Sequence, residues 1–285
     1  MKMHRWRAFT AGGADIMWQS SLIETNGIRL HVTRSDGDKP ALVLLHGFSD
    51  DGLCWTPIAQ QFEDAYDVIL VDARGHGRSD GPESGYGHDQ HAADVAGVIA
   101  ALNLEKPVVM GHSMGAMTTL ALAGLHPALP GAIVLEDPPP FWEQRAAGAQ
   151  TERRRGMGSW IIDLKRLTRE EMIESNRKSN PNWPEAERGP WADSKLRLSF
   201  NVLSGFGGAG LDLREAVQRI TCPALLITAD PALGAITSAK QADELKSLVP
   251  QLQVVNIAGA GHNIRREQPE RFVQCVKEFL RAAKA

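Results

Sequence analysis

Pro107-Val-Val-Met-Gly-His-Ser-Met-Gly115 is the stretch that decides the fold of this chain. Three apolar residues lead directly into a Gly-x-Ser-x-Gly turn, and a helical pattern of small and apolar residues continues from Ala116 to Leu125. This order predicts a strand, a sharp turn and a helix. Because such a turn strains the serine backbone and lifts its hydroxyl clear of the sheet, Ser113 is the candidate nucleophile. The flanking glycines leave room for the neighbouring strand and helix.

Further strands are predicted on both sides of this turn. Most are unbroken runs of Val, Ile and Leu, which are typical of strands covered on both faces. The predicted strands are Ile28–Thr33, Ala41–Leu45, Asp67–Val71, Pro107–Met110, Ala132–Leu135, Ala224–Thr228 and Leu252–Ile257. Helical patterns lie between them, at Trp55–Phe62, His91–Leu102, Met114–Leu125, Ser238–Leu248 and Glu267–Arg281. This alternation predicts an α/β fold with a mostly parallel central sheet flanked by helices.

One segment breaks the alternation. Residues 138–212 contain charged helical stretches and turns with Pro and Trp, without a recognisable β-α pair. We predict that they form an inserted helical lid, that 21–137 and 213–285 form the core, and that 1–20 are an N-terminal arm. Aromatic residues of the lid are expected to enclose an apolar cavity for a small molecule, although packing within the lid itself would also explain them. The residues proposed to contact the bound molecule are Phe141, Trp142, Trp160, Trp183 and Trp191.

Composition narrows the class of partner. The 31 Lys and Arg residues nearly balance the 34 Asp and Glu residues, and the resulting net charge of −3 favours neither nucleic acid nor an anionic membrane. Three scattered cysteines form no C-x-x-C pair, so neither a zinc site nor a redox couple is predicted. No apolar run approaches the roughly 18 residues that span a bilayer, and the N-terminus lacks the apolar stretch of a secretion signal. A cytoplasmic protein with a small-molecule partner and no metal or cofactor is expected.

Four motifs follow one another along the chain, each at the end of a predicted strand. They are His46-Gly-Phe48, Asp72-Ala-Arg-Gly-His-Gly-Arg-Ser79, Gly111-His-Ser-Met-Gly115 and Gly259-Ala-Gly-His262. In these motifs the chain resembles the α/β-hydrolase superfamily, from about Leu22 to the C-terminus. The resemblance implies that fold and a cofactor-independent serine hydrolase whose nucleophile, acid and base follow in that order. It does not select a substrate.

A serine hydroxyl needs a base and a third group that orients the base. His262 is the candidate base, since it follows the last apolar strand among glycines that allow the imidazole to reach the strand ends. Two aspartates are candidates for the acid that orients His262. Asp230 follows the strand after which the superfamily usually carries its acid, but the familiar Gly-x-x-Asp form is missing there. We favour Asp137, since some dehalogenases and zearalenone-type lactonases of the superfamily are similar in taking their acid from this earlier strand.

Backbone N–H groups must stabilise the oxyanion that forms when a carbonyl is attacked. Met114 follows the nucleophile, and Phe48 occupies the last position of the turn that matches the superfamily's H-G-x motif, so these two residues are the predicted donors. We therefore predict a serine hydrolase that cleaves a carboxylic ester or lactone of a largely apolar small molecule. A C–C bond hydrolase of the same fold and a ligand receptor with slow turnover are the alternatives. The sequence does not indicate an oligomeric state.

Overall fold

The structure is a computed structural model that describes residues 4–5, 18–35, 37–140, 147–204 and 211–283. Within this part a nine-stranded sheet has the order β1-β2-β3-β5-β4-β6-β7-β8-β9. In the sheet order, every pair from β5 through β4 to β9 is parallel, whereas β1, β2 and β3 pair antiparallel with their neighbours. The strands are β1 (His4–Arg5), β2 (Gln19–Thr25), β3 (Ile28–Arg34), β4 (Ala41–Leu45), β5 (Asp67–Val71), β6 (Val108–His112), β7 (Ala132–Glu136), β8 (Ala224–Thr228) and β9 (Leu252–Asn256). The predicted mostly parallel sheet is confirmed.

Helices cover both faces of the sheet, which explains the unbroken apolar runs. Every residue of β4, β5, β7 and β8 is buried, and separate apolar clusters fill the two faces. The helices are α1 (Thr56–Ala59), α2 (His88–Ala101), α3 (Met114–Leu125), α4 (Ala147–Lys165), α5 (Arg169–Ser179), α6 (Glu185–Arg197), α7 (Leu213–Val217), α8 (Ala239–Leu248), α9 (Ile264–Glu267) and α10 (Pro269–Ala283). Since α3 is buried from Met114 to Gly124, the turn that precedes it is fixed by the core.

The inserted segment, residues 138–212, lies between β7 and β8 in the chain. Its described part contains α4, α5, α6 and a 3₁₀ turn at Phe200–Ser204. Polar contacts join the end of this segment to the loop after β5, among them the hydrogen bond from the Ser204 hydroxyl to the Glu83 carbonyl at 2.7 Å. Ser199 N donates to the Gly75 carbonyl at 2.8 Å, and Asn201 Nδ2 donates to the Gly81 carbonyl at 2.9 Å. The segment is therefore anchored on the core side that carries the loop after β5.

The N-terminal region differs from the expectation of an arm over 1–20. β2 begins at Gln19, and the first two residues of β2 pair with His4–Arg5. The Trp18 side chain is only 3% exposed, and its Nε1 donates to Glu63 Oε2 at 2.8 Å. β2 (Gln19-Ser-Ser-Leu-Ile-Glu-Thr25) has no long apolar run, and only Ser20 and Ile23 of this strand are buried. The other residues of the predicted arm lie outside the described part.

Candidate active site

Ser113 occupies a strained turn between β6 and α3. Its backbone has φ 51° and ψ −111°, outside the regions that most residues adopt. The turn requires its glycines, since a Cβ at Gly111 would lie 2.2 Å from the Gly115 carbonyl oxygen, and one at Gly115 would lie 2.1 Å from the Leu45 carbonyl oxygen. Ser113 N donates to the Glu136 carbonyl at 2.9 Å, which fastens the turn to β7. Strain held by a packed surrounding is typical of functional positions.

His262 is paired with Asp137. Its Nδ1 lies 2.7 Å from Asp137 Oδ2, and the Asp137 side chain is fully buried. Two backbone groups after β8 also donate to this carboxylate, Ile236 N to Oδ2 at 2.9 Å and Thr237 N to Oδ1 at 2.8 Å. Asp137 therefore accepts hydrogen bonds at both oxygens, which fixes its orientation. These two backbone donors carry no recognisable sequence signal.

Asp230 makes different contacts. Its Oδ2 accepts a hydrogen bond from Gly259 N at 2.7 Å, and its backbone N donates to the Ala260 carbonyl at 2.9 Å. Both partners belong to the loop that leads to His262. Gly259 has a φ of 82°, so the loop turns sharply at the residue that Asp230 binds. Asp230 thus braces the loop of the candidate base, and the imidazole itself is bound by Asp137.

Two further loops come close to Ser113. A Cβ added at Gly47 would lie 2.6 Å from His112 Nδ1 and 3.5 Å from Ser113 Cβ, so the loop after β4 passes directly over the serine turn. His112 Nε2 donates to the His262 carbonyl at 2.9 Å, and the two imidazole rings are 4.7 Å apart. Gly47, Ser113 and His262 therefore meet at the carboxyl ends of the parallel strands β4, β6 and β9. No sequence pattern indicated that His112 supports the backbone of His262.

The candidate oxyanion donors flank this meeting point. Met114 is the first residue of α3, where backbone N–H groups have no partner within the helix. Phe48 lies in the loop after β4, and its side chain packs against an apolar cluster of Tyr86, Ile161, Leu198 and Val202. Three members of that cluster belong to the inserted segment. The loop beside Ser113 is therefore in direct contact with that segment.

The five aromatic residues proposed to contact a bound molecule have different surroundings. Trp183 is 6% exposed, and its ring lies 4.5 Å from the Arg266 guanidinium carbon. Trp191 is half-buried with Lys195 Nζ 5.1 Å from its ring centre, and Trp160 is 43% exposed. Phe141 and Trp142 lie outside the described residues. The Trp183 ring thus packs on a buried cation, and the Trp191 ring lies beside another.

A buried ionic network, which no sequence pattern indicated, surrounds the loop after β4. Asp50 binds Lys195 at 2.7 Å and Arg266 at 2.9 Å, while Arg266 also binds Glu187 at 3.0 Å. Burial acts to raise the pKa of Asp50, but the charges of Arg266, Lys195 and Arg265 hold it well below its usual value. The network joins three parts of the chain, the loop after β4, helix α6 and helix α9. Its partners are too far apart in sequence to be recognised as pairs.

A sequence model of the alpha/beta hydrolase family matches residues 42–275 of this chain. The chain belongs to the alpha/beta hydrolase family. The described residues of this α/β hydrolase include no helix that is long and apolar enough to cross a membrane. They also include no group of three or more His, Cys, Asp and Glu side chains arranged to hold a metal ion.

Relatives of this α/β hydrolase are named for different reactions. The 2-(acetamidomethylene)succinate hydrolase of Mesorhizobium japonicum is 31% identical over 274 residues, which are 92% of this chain and 95% of that protein. The N-formylmaleamate deformylase of Pseudomonas putida is 28% identical over 95% of this chain and 97% of its own length. The 3-oxoadipate enol-lactonase 1 of Acinetobacter baylyi is 27% identical over 85% of this chain and 89% of its own length. These names support a hydrolase that acts on a small molecule.

Burial keeps several histidines of this α/β hydrolase neutral. It lowers the pKa of His76 to about 3, and it also lowers the pKa values of His88, His91 and His112. An unfolded histidine titrates near pH 6.5. The unfolded chain therefore takes up protons that the folded chain does not, so this contribution to stability is complete above about pH 6.5 and is lost as the pH falls toward about 3.

We expect the free energy of unfolding to decrease between pH 6.5 and pH 5, and a His76→Gln variant to lose less over the same interval. The slope of the free energy of unfolding against pH should differ between the two proteins by up to about 1.4 kcal/mol per pH unit, which is the value for one proton. Urea titrations of both proteins at pH 7, 6 and 5 measure it. Glu136 and Asp51, whose pKa values burial raises, are common to both proteins and cancel in the comparison. Equal losses in the two proteins would contradict the expectation.

Proposed function

We propose that this α/β hydrolase cleaves a carboxylic ester or lactone of a largely apolar small molecule through an acyl-enzyme. The observation that carries the proposal is the pairing of His262 with the buried Asp137, beside a serine in a strained strand-to-helix turn. A serine hydroxyl becomes a nucleophile when an oriented imidazole accepts its proton. Ser113, His262 and Asp137 supply the nucleophile, the base and the orienting acid.

The first half of the reaction forms the acyl-enzyme. Ser113 Oγ attacks the carbonyl carbon as His262 Nε2 takes the hydroxyl proton, and the proton then passes to the leaving oxygen. Asp137 accepts a hydrogen bond from the Nδ1–H group of His262, which leaves the unprotonated Nε2 free to act as the base. Since Ile236 N and Thr237 N bind the same carboxylate, Asp137 keeps its orientation while His262 is charged. In the second half, His262 activates water, which releases the acid from Ser113.

The tetrahedral oxyanion requires two backbone donors. Met114 N supplies one at the positive end of α3, and Phe48 N supplies the other from the loop that passes over Ser113. A single such donor typically contributes about 3 kcal/mol to transition-state stabilisation. Because the contribution comes from the backbone, the Phe48 side chain is available to contact the substrate and the inserted segment.

The inserted segment is proposed to act as a lid over this site. Ile161, Leu198 and Val202 of the segment form one apolar cluster with Tyr86, and Phe48 packs against it. This contact supports an apolar wall next to the carbonyl that Ser113 attacks. Substrate contact by Phe141, Trp142, Trp160, Trp183 and Trp191 stays a prediction, as does cytoplasmic location.

Hydrolysis of a C–C bond is the second candidate. Two relatives that are 31% and 28% identical are named for substrates other than simple esters, which fits this alternative at least as well. The same three residues would serve, since Ser113 would attack a ketone carbonyl and His262 would deliver the proton to the departing carbon. N-acyl substrates belong in the same test, since both names contain an acylated nitrogen.

A panel of substrates distinguishes these possibilities. We expect multiple turnovers of short and medium p-nitrophenyl esters or of lactones. With the p-nitrophenyl esters, a rapid first release of p-nitrophenol should equal the enzyme concentration. N-acyl amides and a β-diketone that yields two products on C–C cleavage are assayed in parallel. Turnover of the diketone alone would favour the second candidate. A ligand that binds tightly without product formation would instead favour a receptor.

A further inference from the structure

The loop after β4 contains a tight turn over residues 47–50, which we call the oxyanion turn. Asp50 N donates to the Gly47 carbonyl at 3.1 Å, so Phe48 and Ser49 are its two central residues. Ser49 has a φ of 68°, in the left-handed region that favours glycine. A serine in this conformation costs free energy, so the surrounding structure has to hold the turn in place.

Lys195, near the end of helix α6, holds this turn. Its side chain is 2% exposed, and its Nζ donates to the Ser49 carbonyl at 3.0 Å and to Asp50 Oδ1 at 2.7 Å. The third partner of the ammonium group is Ser194 Oγ at 3.3 Å. Two of the three donors of the ammonium group therefore bind the oxyanion turn. The lysine is supplied by the inserted segment, 145 residues further along the chain than Asp50.

Asp50 does not depend on Lys195 alone. Arg266 Nη2 binds Asp50 Oδ2 at 2.9 Å, and Arg265 Nη2 lies 3.4 Å from the same oxygen. Loss of the lysine would leave this carboxylate with two cationic partners, so it would not become an unpaired buried charge. The Ser49 carbonyl, by contrast, would lose the hydrogen bond that Lys195 provides. The specific effect of Lys195 is therefore on the backbone of the turn.

We propose that Lys195 is a positioning residue that fixes the oxyanion turn so that Phe48 N points at the developing oxyanion. The inference rests on the proposed function, since it concerns the same reaction. Gly47 of this turn lies next to Ser113 Cβ, so a small displacement of the turn changes the distance from its N–H groups to the reacting carbonyl. Preorganised donors lose most of their effect when they are displaced. The inserted segment thereby takes part in the chemical step as well as in enclosing the substrate.

The test compares Lys195→Met with Arg188→Met. Arg188 is a buried cation of the same helix whose guanidinium Nη atoms bind Asn176 Oδ1 and the Asn180 and Trp183 carbonyls, all within the inserted segment. We expect Lys195→Met to lower kcat roughly 10- to 100-fold with KM changed less than about threefold. Affinity for a boronic acid that forms a tetrahedral adduct with Ser113 should fall by the same factor. Arg188→Met should lower Tm at least as much while its kcat stays within about threefold.

Lys195→Arg provides the conservative variant. It keeps a buried cation and a donor near the Ser49 carbonyl, so it should recover part of the kcat and of the boronic acid affinity together. If Lys195→Met does not fold, the test uses Lys195→Arg instead. Its kcat and its affinity for the boronic acid must then both be lower than in the wild-type protein.

Three results would overturn the inference. Equal loss of kcat in Lys195→Met and Arg188→Met would assign Lys195 a purely structural role, and an unchanged kcat in Lys195→Met would exclude a positioning role. Wild-type protein without turnover that depends on Ser113 would overturn the proposed function and this inference together. An active wild-type protein with an unaffected Lys195→Met variant would overturn the inference alone.

Discussion

Replacement of Ser113 by alanine is expected to lower kcat roughly 10⁴- to 10⁶-fold. The hydroxyl oxygen is the atom that forms the acyl-enzyme, and no other serine lies in the turn between β6 and α3. The substitution removes one oxygen and leaves Gly111 and Gly115 in place, so the backbone of the turn should not change. We therefore expect Tm within about 2 °C of the wild-type value. Burst kinetics with a p-nitrophenyl ester measure the loss, and the rapid first release should disappear with it.

Ser204→Ala is the matched control for this experiment. The Ser204 hydroxyl is exposed and binds the Glu83 carbonyl of a core loop and the Asn201 carbonyl of the inserted segment. We expect its kcat to stay within about twofold of the wild-type value, since surface substitutions of this kind have small effects. Retention of more than a tenth of the activity in Ser113→Ala would contradict the assignment of the nucleophile.

The acid can be assigned by comparing Asp137→Asn with Asp230→Asn. We expect Asp137→Asn to lower kcat roughly 10⁴-fold, because an amide beside His262 Nδ1 favours the wrong imidazole tautomer. The substitution should also lower stability by about 1 to 3 kcal/mol. The asparagine NH₂ group would face either the Ile236 or the Thr237 N–H, and both of these are donors.

Asp230→Asn is expected to keep kcat within a few-fold of the wild-type value. The Asp230 carboxylate binds Gly259 N, and an amide oxygen can accept the same hydrogen bond. Rates and thermal unfolding are measured for both variants, so that a loss of folded protein is not mistaken for a loss of catalysis. A small effect of Asp137→Asn together with a loss of several orders of magnitude in Asp230→Asn would transfer the role of the acid to Asp230.

Local sequence patterns were sufficient to predict the bounds of several buried strands. Ala41–Leu45 and Ala224–Thr228 are strands with the predicted bounds, because fully buried strands need uninterrupted apolar runs. Helix α6, Glu185–Arg197, was not predicted from the sequence. This helix follows Pro184 and contains Pro190, so its pattern resembles a turn although tertiary packing keeps it helical.

The candidate site was predictable to a similar extent. Glycines and strand ends indicate where Ser113 and His262 lie, since both need sharp turns at the edge of the sheet. The pairing of Asp137 with His262 depends on which loop approaches the acid, and no spacing along the chain encodes that. The same holds for Lys195, whose partners lie in a loop about half the chain length away. Contacts of this kind arise from the assembled fold.

The backbone hydrogen bonds to Asp137 determine which sequence changes the loop after β8 can tolerate in this enzyme. The amide groups of residues 236 and 237 hold the carboxylate, and every amino acid except proline provides such a group. The side chain of Ile236 can therefore drift during evolution without cost to the hydrogen bonds, whereas a one-residue deletion in this loop would move both donors. Across homologues the length of the loop should be kept more strictly than its residue types, so a comparison of residue identities alone would overlook it.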